Sequence, residues 1–136
     1  MLKRFCVVLI VLVGIFSLYS CSSKTSQSKP HDDAKRVMNK KNLPTYFLYY
    51  APWCPHCKRL GPIVKQLESE LDGKVYFYYV DVDSEEGKKI ATVYKGPVDG
   101  VPHAQFYDAK GNLIAEKVGF TDYDQLKDLI SRNLLK

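Results

Sequence analysis

Apolar and polar positions divide the chain into three stretches. An almost unbroken apolar run, Phe5–Leu18, follows the basic residues Lys3 and Arg4, and residues 22–30 contain no apolar side chain. A basic start, a short apolar run and small residues at a cut site are typical of an export signal. The run has fourteen residues, whereas a transmembrane helix needs about 20. We therefore predict a cleaved signal over residues 1–20, with an uncleaved anchor as the alternative. A flexible tether is predicted over 21–31 and one domain over 32–136.

The pattern within 32–136 predicts an α/β fold. Strongly β-forming runs at 45–50 and 74–82 are typical of strands, and the first, uniformly apolar and aromatic, is typical of a strand covered on both faces. Between them, Cys54–Leu71 carries apolar residues at intervals of three and four, which indicates an amphipathic helix with a kink at Pro62. Further helices are predicted at 32–41, 84–94 and 121–135, and two short strands at 104–108 and 113–118 joined by a hairpin turn. This order predicts a central mixed sheet flanked by helices.

Charge argues against a nucleic-acid-binding protein. The full chain has a net charge of +5, and loss of Lys3 and Arg4 with the signal would leave 18 basic against 15 acidic residues. The basic residues are scattered along the chain, and no more than two are adjacent in that part, at 35–36, 40–41, 58–59 and 88–89. Such a distribution indicates an ordinary solvated surface. We therefore expect no nucleic-acid partner.

The cysteines are more informative. Cys6 lies in the predicted signal, Cys21 follows it, and Cys54 and Cys57 form a close pair in the domain. An exported protein sits where disulfides persist, and a two-residue gap constrains too little chain for a structural staple. At a strand-to-helix junction, unpaired N–H groups and the helix dipole favour a Cys54 thiolate, and Cys57 is placed to resolve a mixed disulfide.

The two residues between the cysteines fit the same chemistry. Pro55 suits the first helical turn, where a missing N–H costs nothing. His56, when protonated, would add positive charge near the thiolate and stabilise the reduced form, which makes the disulfide a stronger oxidant. Without its neighbours, His56 could equally be a solvated surface residue.

Several segments together resemble the thioredoxin family. The string from Tyr50 to Lys58 is similar to the active-site segment of that family, Pro62 to its kink proline, Gly100-Val101-Pro102 to its cis-proline loop, and Lys117-Val118-Gly119 to the segment before its last helix. The resemblance covers about residues 32–136. It implies a thioredoxin-like fold and a redox-active Cys54–Cys57 disulfide that needs no organic cofactor or metal.

The resemblance also implies roles for individual residues. Cys54 would be the nucleophile and Cys57 the resolving thiol. Pro102 would face them in the cis form, the backbone of Val101 would bind an extended substrate peptide, and Trp53 would contact substrate or shield the disulfide. The short interval from Cys57 to Pro102 leaves no room for the helical insertion of disulfide-forming oxidases.

Three positions depart from the family pattern. Leu48 stands where the family buries a carboxylate that helps to deprotonate the resolving thiol, and Tyr79 stands where that carboxylate has a lysine partner. The proton route is therefore expected to differ. His103 replaces a small hydroxyl residue after Pro102, and we expect it at the rim of the active-site pocket rather than in catalysis.

The segment Leu18-Tyr19-Ser20-Cys21 resembles the lipobox of bacterial lipoproteins, in which the cysteine is lipidated and becomes the N-terminus. This implies a membrane anchor on Cys21 and an extracytoplasmic location. Tyr19 is larger than the residue usual at that place.

Three functions remain open on the sequence. A reductase or general exchange enzyme acting on exported protein thiols and disulfides is favoured, as a monomer with a membrane electron donor or acceptor. A disulfide-forming oxidase is the second, and a copper-binding module on the same fold is the third. A structural zinc site needs four ligands, and beyond the pair only His31, His56 and His103 are candidates, so no metal is expected.

Overall fold

The computed structural model describes residues 42–97 and 99–136. The predicted signal, tether and 32–41 helix, together with Cys21, lie outside the described residues. Seven elements follow in chain order: β1 (Thr45–Tyr50), α1 (Pro55–Glu70), β2 (Tyr76–Asp81), α2 (Glu85–Val93), β3 (His103–Tyr107), β4 (Leu113–Val118) and α3 (Tyr123–Leu134). In this part of the chain, no helix has both the length and the apolar character needed to cross a bilayer.

The four strands form one mixed sheet in the order β2-β1-β3-β4. β1 and β2 are parallel, joined by the crossover helix α1, whereas β1–β3 and β3–β4 are antiparallel. The predicted α/β architecture, a mixed sheet flanked by helices, is confirmed. Because β1 and β2 run parallel, their carboxyl ends lie at the same edge of the sheet, where the Cys54–Cys57 segment begins.

Both faces of β1 are covered, as its continuous apolar run predicts. Tyr46 and Leu48 face a core formed with α1 and α3, in which Leu60, Val64, Leu126 and Ile130 are almost fully buried. Phe47 and Tyr49 point the other way, into a second cluster that includes Val80 and Tyr107 and packs against α2 residues such as Ile90. The alternation of a strand therefore places two hydrophobic layers on one six-residue segment.

Two local differences from the predicted elements have a visible cause. β2 begins at Tyr76 rather than residue 74, because the N–H groups of Lys74 and Val75 both bond back to the carbonyl oxygen of Leu71 and close a turn. The first helix begins at Pro55 rather than at Cys54, which is instead its N-cap. The helix continues through Pro62 to Glu70.

The hairpin between β3 and β4 is closed by Asp108. Its Oδ1 accepts hydrogen bonds from the N–H groups of Lys110 (2.9 Å) and Asn112 (2.8 Å), and Oδ2 accepts one from the Asn112 amide. Gly111 takes a φ of 83°, a conformation that favours glycine. The Asn112 bonds hold the pKa of the Asp108 carboxyl below its usual value.

Candidate active site

Cys54 and Cys57 form a disulfide at the N-terminus of α1. Cys54 has an extended conformation, with ψ of 114°, and its Sγ accepts a hydrogen bond from the Cys57 N–H at 3.1 Å. This is the geometry of an N-cap, in which a side-chain acceptor satisfies one of the free N–H groups of the first turn. Backbone donors and the helix dipole thus converge on the sulfur that the sequence assigns as nucleophile.

The disulfide is almost completely buried. Cys54 and Cys57 are 2% and 8% exposed and pack with Ala51. Pro55 and His56 are exposed in the first turn of the helix. Pro55 occupies a position where no backbone hydrogen bond is lost. His56 therefore lies on the solvent side of the pair.

The loop before β3 brings a second backbone segment to the disulfide. The Val101–Pro102 peptide bond is cis, and the carbonyl oxygen of Val101 lies 3.5 Å from Cys54 Sγ. The loop is tied to the end of β4 because the Gly119 N–H donates to the Pro102 carbonyl at 2.8 Å. Residues 47 positions apart along the chain are in contact at the site.

Trp53 stands beside the disulfide and is 66% exposed. Its indole Nε1–H donates to Asp83 Oδ2 at 2.7 Å. Sequence reasoning did not single out Asp83, although a usable signal existed. Asp83 follows β2, and the carboxyl end of a strand parallel to β1 reaches the edge of the sheet at which Trp53 lies.

A mostly apolar pocket of about 480 Å³ adjoins the disulfide on the Cys57 side. Leu48 and Tyr79, directly opposite each other on β1 and β2, form part of its wall. One stripe of α1, Cys57, Lys58, Gly61 and Lys65, also lines it. The Tyr79 hydroxyl donates to Glu68 Oε2 at 2.7 Å.

Comparison with known proteins gives this arrangement a family. The thioredoxin family profile matches residues 26–132. The chain belongs to the thioredoxin family. It is 34% identical over 100 residues to the protein disulfide-isomerase erp38 of Neurospora crassa, an alignment covering 70% of this chain and 26% of that protein.

Two bacterial relatives extend the thioredoxin comparison. The chain is 36% identical over 76 residues to a thiol:disulfide interchange protein TxlA homolog of Synechocystis, covering 56% of this chain and 41% of the relative. It is 33% identical over 88 residues to the thioredoxin of Borreliella burgdorferi, covering 57% and 75%. The chain thus spans well under half the length of the first two relatives.

The Cys57 side is where this chain departs from the family pattern. Leu48 is 4% exposed and carries no ionisable group. Burial raises the pKa of the Tyr79 hydroxyl, as does its hydrogen bond to Glu68. Tyr79 therefore stays neutral, and neither residue supplies a carboxylate or a cation to the pocket wall.

The expectation for His103 was wrong in one respect: the ring is not at a pocket rim. His103 is 3% exposed, its Nε2 lies 3.2 Å from Glu116 Oε2 on β4, and its ring packs edge-on to Tyr49. Glu116 also accepts from Gln105, which accepts from the Tyr107 hydroxyl. β3 begins at His103 rather than Ala104, so the strand directs this side chain into the sheet face.

Metal ligands do not gather around the pair. Within 42–97 and 99–136, no three His, Cys, Asp or Glu side chains lie close enough to hold an ion. Of the two histidines described, His56 faces solvent and His103 is engaged with Glu116.

Proposed function

We propose that the protein is a thiol–disulfide oxidoreductase that exchanges the Cys54–Cys57 pair with the thiols and disulfides of other proteins. The observation that carries the proposal is the N-capping of α1 by Cys54. Its Sγ accepts a hydrogen bond from the Cys57 N–H and lies 3.5 Å from the carbonyl oxygen of Val101. A thiolate at this position gains hydrogen bonding and dipole stabilisation without any charged side chain. Membership of the thioredoxin family supports the same chemistry, as does similarity to a protein disulfide-isomerase and to a thiol:disulfide interchange protein.

The exchange takes place in two balanced steps. In the reducing direction, the Cys54 thiolate attacks one sulfur of a substrate disulfide, forms a mixed disulfide and releases the other substrate sulfur as a thiolate. Cys57 then loses its proton and attacks Cys54 Sγ, which forms the Cys54–Cys57 bond and releases the second substrate thiolate. Two electrons pass to the substrate, and a dithiol donor must return two to the protein.

Neighbouring residues assist this exchange. Pro55 starts the helix, and His56, when protonated, adds positive charge on the solvent side of the thiolate. Trp53, Val101 and Pro102 form the surface against which a substrate peptide would lie. Trp53 directly precedes Cys54, and the carbonyl oxygen of Val101 lies 3.5 Å from Cys54 Sγ.

For direction, we favour reduction or general exchange, with disulfide formation as the alternative. The short connection from α1 to β3 supports the first, since its described residues form β2 and α2 and no further helix or strand. His56 favours the second because it would stabilise the reduced form. The reduction potential separates them: about −230 mV or lower fits a reductase, and about −120 mV fits an oxidase.

We further propose that the protein is exported and anchored through lipid on Cys21, and that it acts as a monomer on exported proteins with a membrane electron carrier as partner. The lipobox-like segment at 18–21 and the polar stretch after it support this. Incorporation of labelled palmitate into the parent, but not into Cys21→Ala, tests the anchor.

Insulin reduction by the full chain with dithiothreitol tests the activity. The parent should accelerate precipitation of the insulin B chain, and Cys54→Ser should abolish the acceleration because no nucleophile remains. Cys21→Ser, which removes a cysteine outside the pair, is the matched control and should retain full activity. Full activity in Cys54→Ser would overturn the proposal.

A further inference from the structure

The pocket on the Cys57 side has no part in the exchange chemistry described above. It has about 480 Å³, within the range of pockets that hold ligands. It is lined by Cys57 itself, so anything bound there lies against the disulfide. Its wall is apolar because Leu48 and Tyr79 stand opposite each other on the two parallel strands.

The charges at this pocket have one sign. Lys58 and Lys65 are its only charged lining residues, and both are exposed. Neither ammonium group makes a hydrogen bond or ion pair with the residues that the structure describes. The nearest acid on the same helix face, Glu68, already accepts the Tyr79 hydroxyl. A bound group with an apolar body and a carboxylate at its edge is thus complementary to the pocket.

We propose that this pocket binds a segment of the protein substrate, in which a large apolar side chain next to the reactive cysteine is flanked by an acidic residue. The inference rests on the proposed exchange function, because that function brings a protein disulfide against this edge of the sheet. An apolar anchor in a pocket with a charged rim is the usual arrangement of energetically important interface contacts.

Gly61 gives a direct way to close the pocket. A β-carbon at this position would have no heavy atom within 4 Å outside its own helix. Gly61→Leu therefore projects an apolar side chain into the space, while Gly61→Ala makes the same backbone change and leaves most of the volume open. Both precede Pro62, so any effect of that proline on the helix is common to the pair.

The test uses the reduced full chain and eight cysteine peptides, each coupled in a disulfide to glutathione. They carry one of four residue pairs beside the cysteine, each in both orders along the peptide: Leu and Glu, Leu and Lys, Ser and Glu, or Ser and Lys. The fluorescence of Trp53, the single tryptophan of the chain, reports oxidation of the neighbouring pair in stopped flow. Hydroxyethyl disulfide, which has neither feature, measures exchange without docking.

We expect the Leu–Glu peptide to react about tenfold faster than the Ser–Lys peptide in at least one order. Gly61→Leu should remove the advantage of leucine, and Gly61→Ala should keep it. The double variant Lys58→Gln/Lys65→Gln should reduce the advantage of glutamate about two- to threefold, because exposed charges are screened. Lys89→Gln, an exposed lysine remote from the pocket, should leave it unchanged.

Each contrary result has a distinct meaning. Equal peptide rates in the parent, with normal reaction of hydroxyethyl disulfide, overturn the docking inference and leave the exchange function standing. No reaction with hydroxyethyl disulfide removes the exchange function itself. If Gly61→Leu does not fold, an unchanged glutamate preference in the lysine double variant still refutes the inference. A further outcome is that decanoate inhibits the parent and not Gly61→Leu while the peptides react at equal rates. That result assigns the pocket to a small amphiphile and also overturns the docking inference.

Discussion

The two sulfurs of the disulfide lie in different surroundings. Cys54 is met by backbone groups: the Cys57 N–H at 3.1 Å and the Val101 carbonyl at 3.5 Å. Cys57 lines a pocket whose strand wall includes Leu48 and Tyr79. The surroundings of the nucleophile are therefore set by the backbone conformation of the fold. The surroundings of the resolving thiol are set by side chains, which can differ between sequences of the same fold.

This difference separates the two steps of exchange. Attack by Cys54 is supported by the helix N-terminus, so it should proceed as in other members of the thioredoxin family. Resolution requires a proton to leave Cys57, and no carboxylate lines the pocket beside it. We therefore expect the second step to be the slower and the more pH-dependent one.

Leu48→Asp gives the largest expected change. A carboxylate opposite Tyr79 would accept the Cys57 proton, so resolution of a mixed disulfide should accelerate about 10- to 100-fold at pH 7. Rapid-quench measurement of the Cys54 mixed disulfide follows this step. Leu48→Asn, similar in size but unable to accept a proton as a base, is the control and should show no acceleration.

Both Leu48 variants should also lower the free energy of unfolding, by about 3 kcal/mol or more, because they bury a polar group in an apolar wall. Chemical denaturation measures the loss. Equal resolution rates in Leu48→Asp and the parent, in folded protein, would mean that Cys57 already has an efficient proton acceptor.

On the Cys54 side, His56→Gln should lower the reduction potential by about 30 mV, which corresponds to about 1.4 kcal/mol for a two-electron couple. The reason is loss of a positive charge near the thiolate in the reduced form. Equilibration with glutathione measures the shift. A potential identical to that of the parent would make His56 only a surface residue.

A smaller effect is expected at the Trp53–Asp83 contact. Asp83→Ala removes the acceptor of the 2.7 Å indole bond, and the freed ring should slow protein disulfide reduction about threefold. Asp83→Asn keeps an oxygen acceptor and should lie between parent and alanine variant. Insulin reduction measures the effect; if hydroxyethyl disulfide slows equally, the contact serves the disulfide rather than substrate binding.

The smallest effect is remote from both sulfurs. Hydrogen bonds from Tyr123, Lys127 and Gln66 lower the pKa of Glu70 to about 2. A depressed folded-state pKa stabilises the protein above the ordinary value near 4.5, and this contribution is lost as the pH falls toward 2. Glu70→Gln should therefore flatten the pH dependence of the unfolding free energy over that interval.

The control for this prediction is Asp72→Asn, which changes an exposed acid just beyond the same helix. Urea denaturation at pH 2.5, 3.5 and 5 measures both variants. A pH profile of Glu70→Gln that is parallel to the parent would contradict the assigned hydrogen bonds.

Sequence predicted what depends on local pattern. The run Thr45–Tyr50 has the apolar content of a doubly covered strand, and Ser84 caps α2 through the Gly87 N–H as its position suggests. The disulfide pair was predicted from its spacing and its place after a strand. Each of these rests on residues adjacent along the chain.

The features that the sequence did not predict depend on contacts between residues far apart along the chain. Asp83 reaches Trp53 across 30 positions, and the pocket exists only because α1 lies over the Leu48–Tyr79 pair. His103 was misplaced because it is the first residue of β3 and not part of the loop before it, so its ring lies on the sheet against Glu116.

Trapping the mixed disulfide tests the central claim most directly. Reduced Cys57→Ser full chain is mixed with a disulfide-bonded protein and analysed by mass spectrometry after digestion without reductant. Exchange through this pair predicts one substrate chain attached to Cys54, and no trapped adduct in the doubly substituted Cys54→Ser/Cys57→Ser protein. Absence of an adduct on Cys54, or attachment only at Cys6 or Cys21, would contradict the assignment of Cys54 as nucleophile and Cys57 as the thiol that releases the substrate.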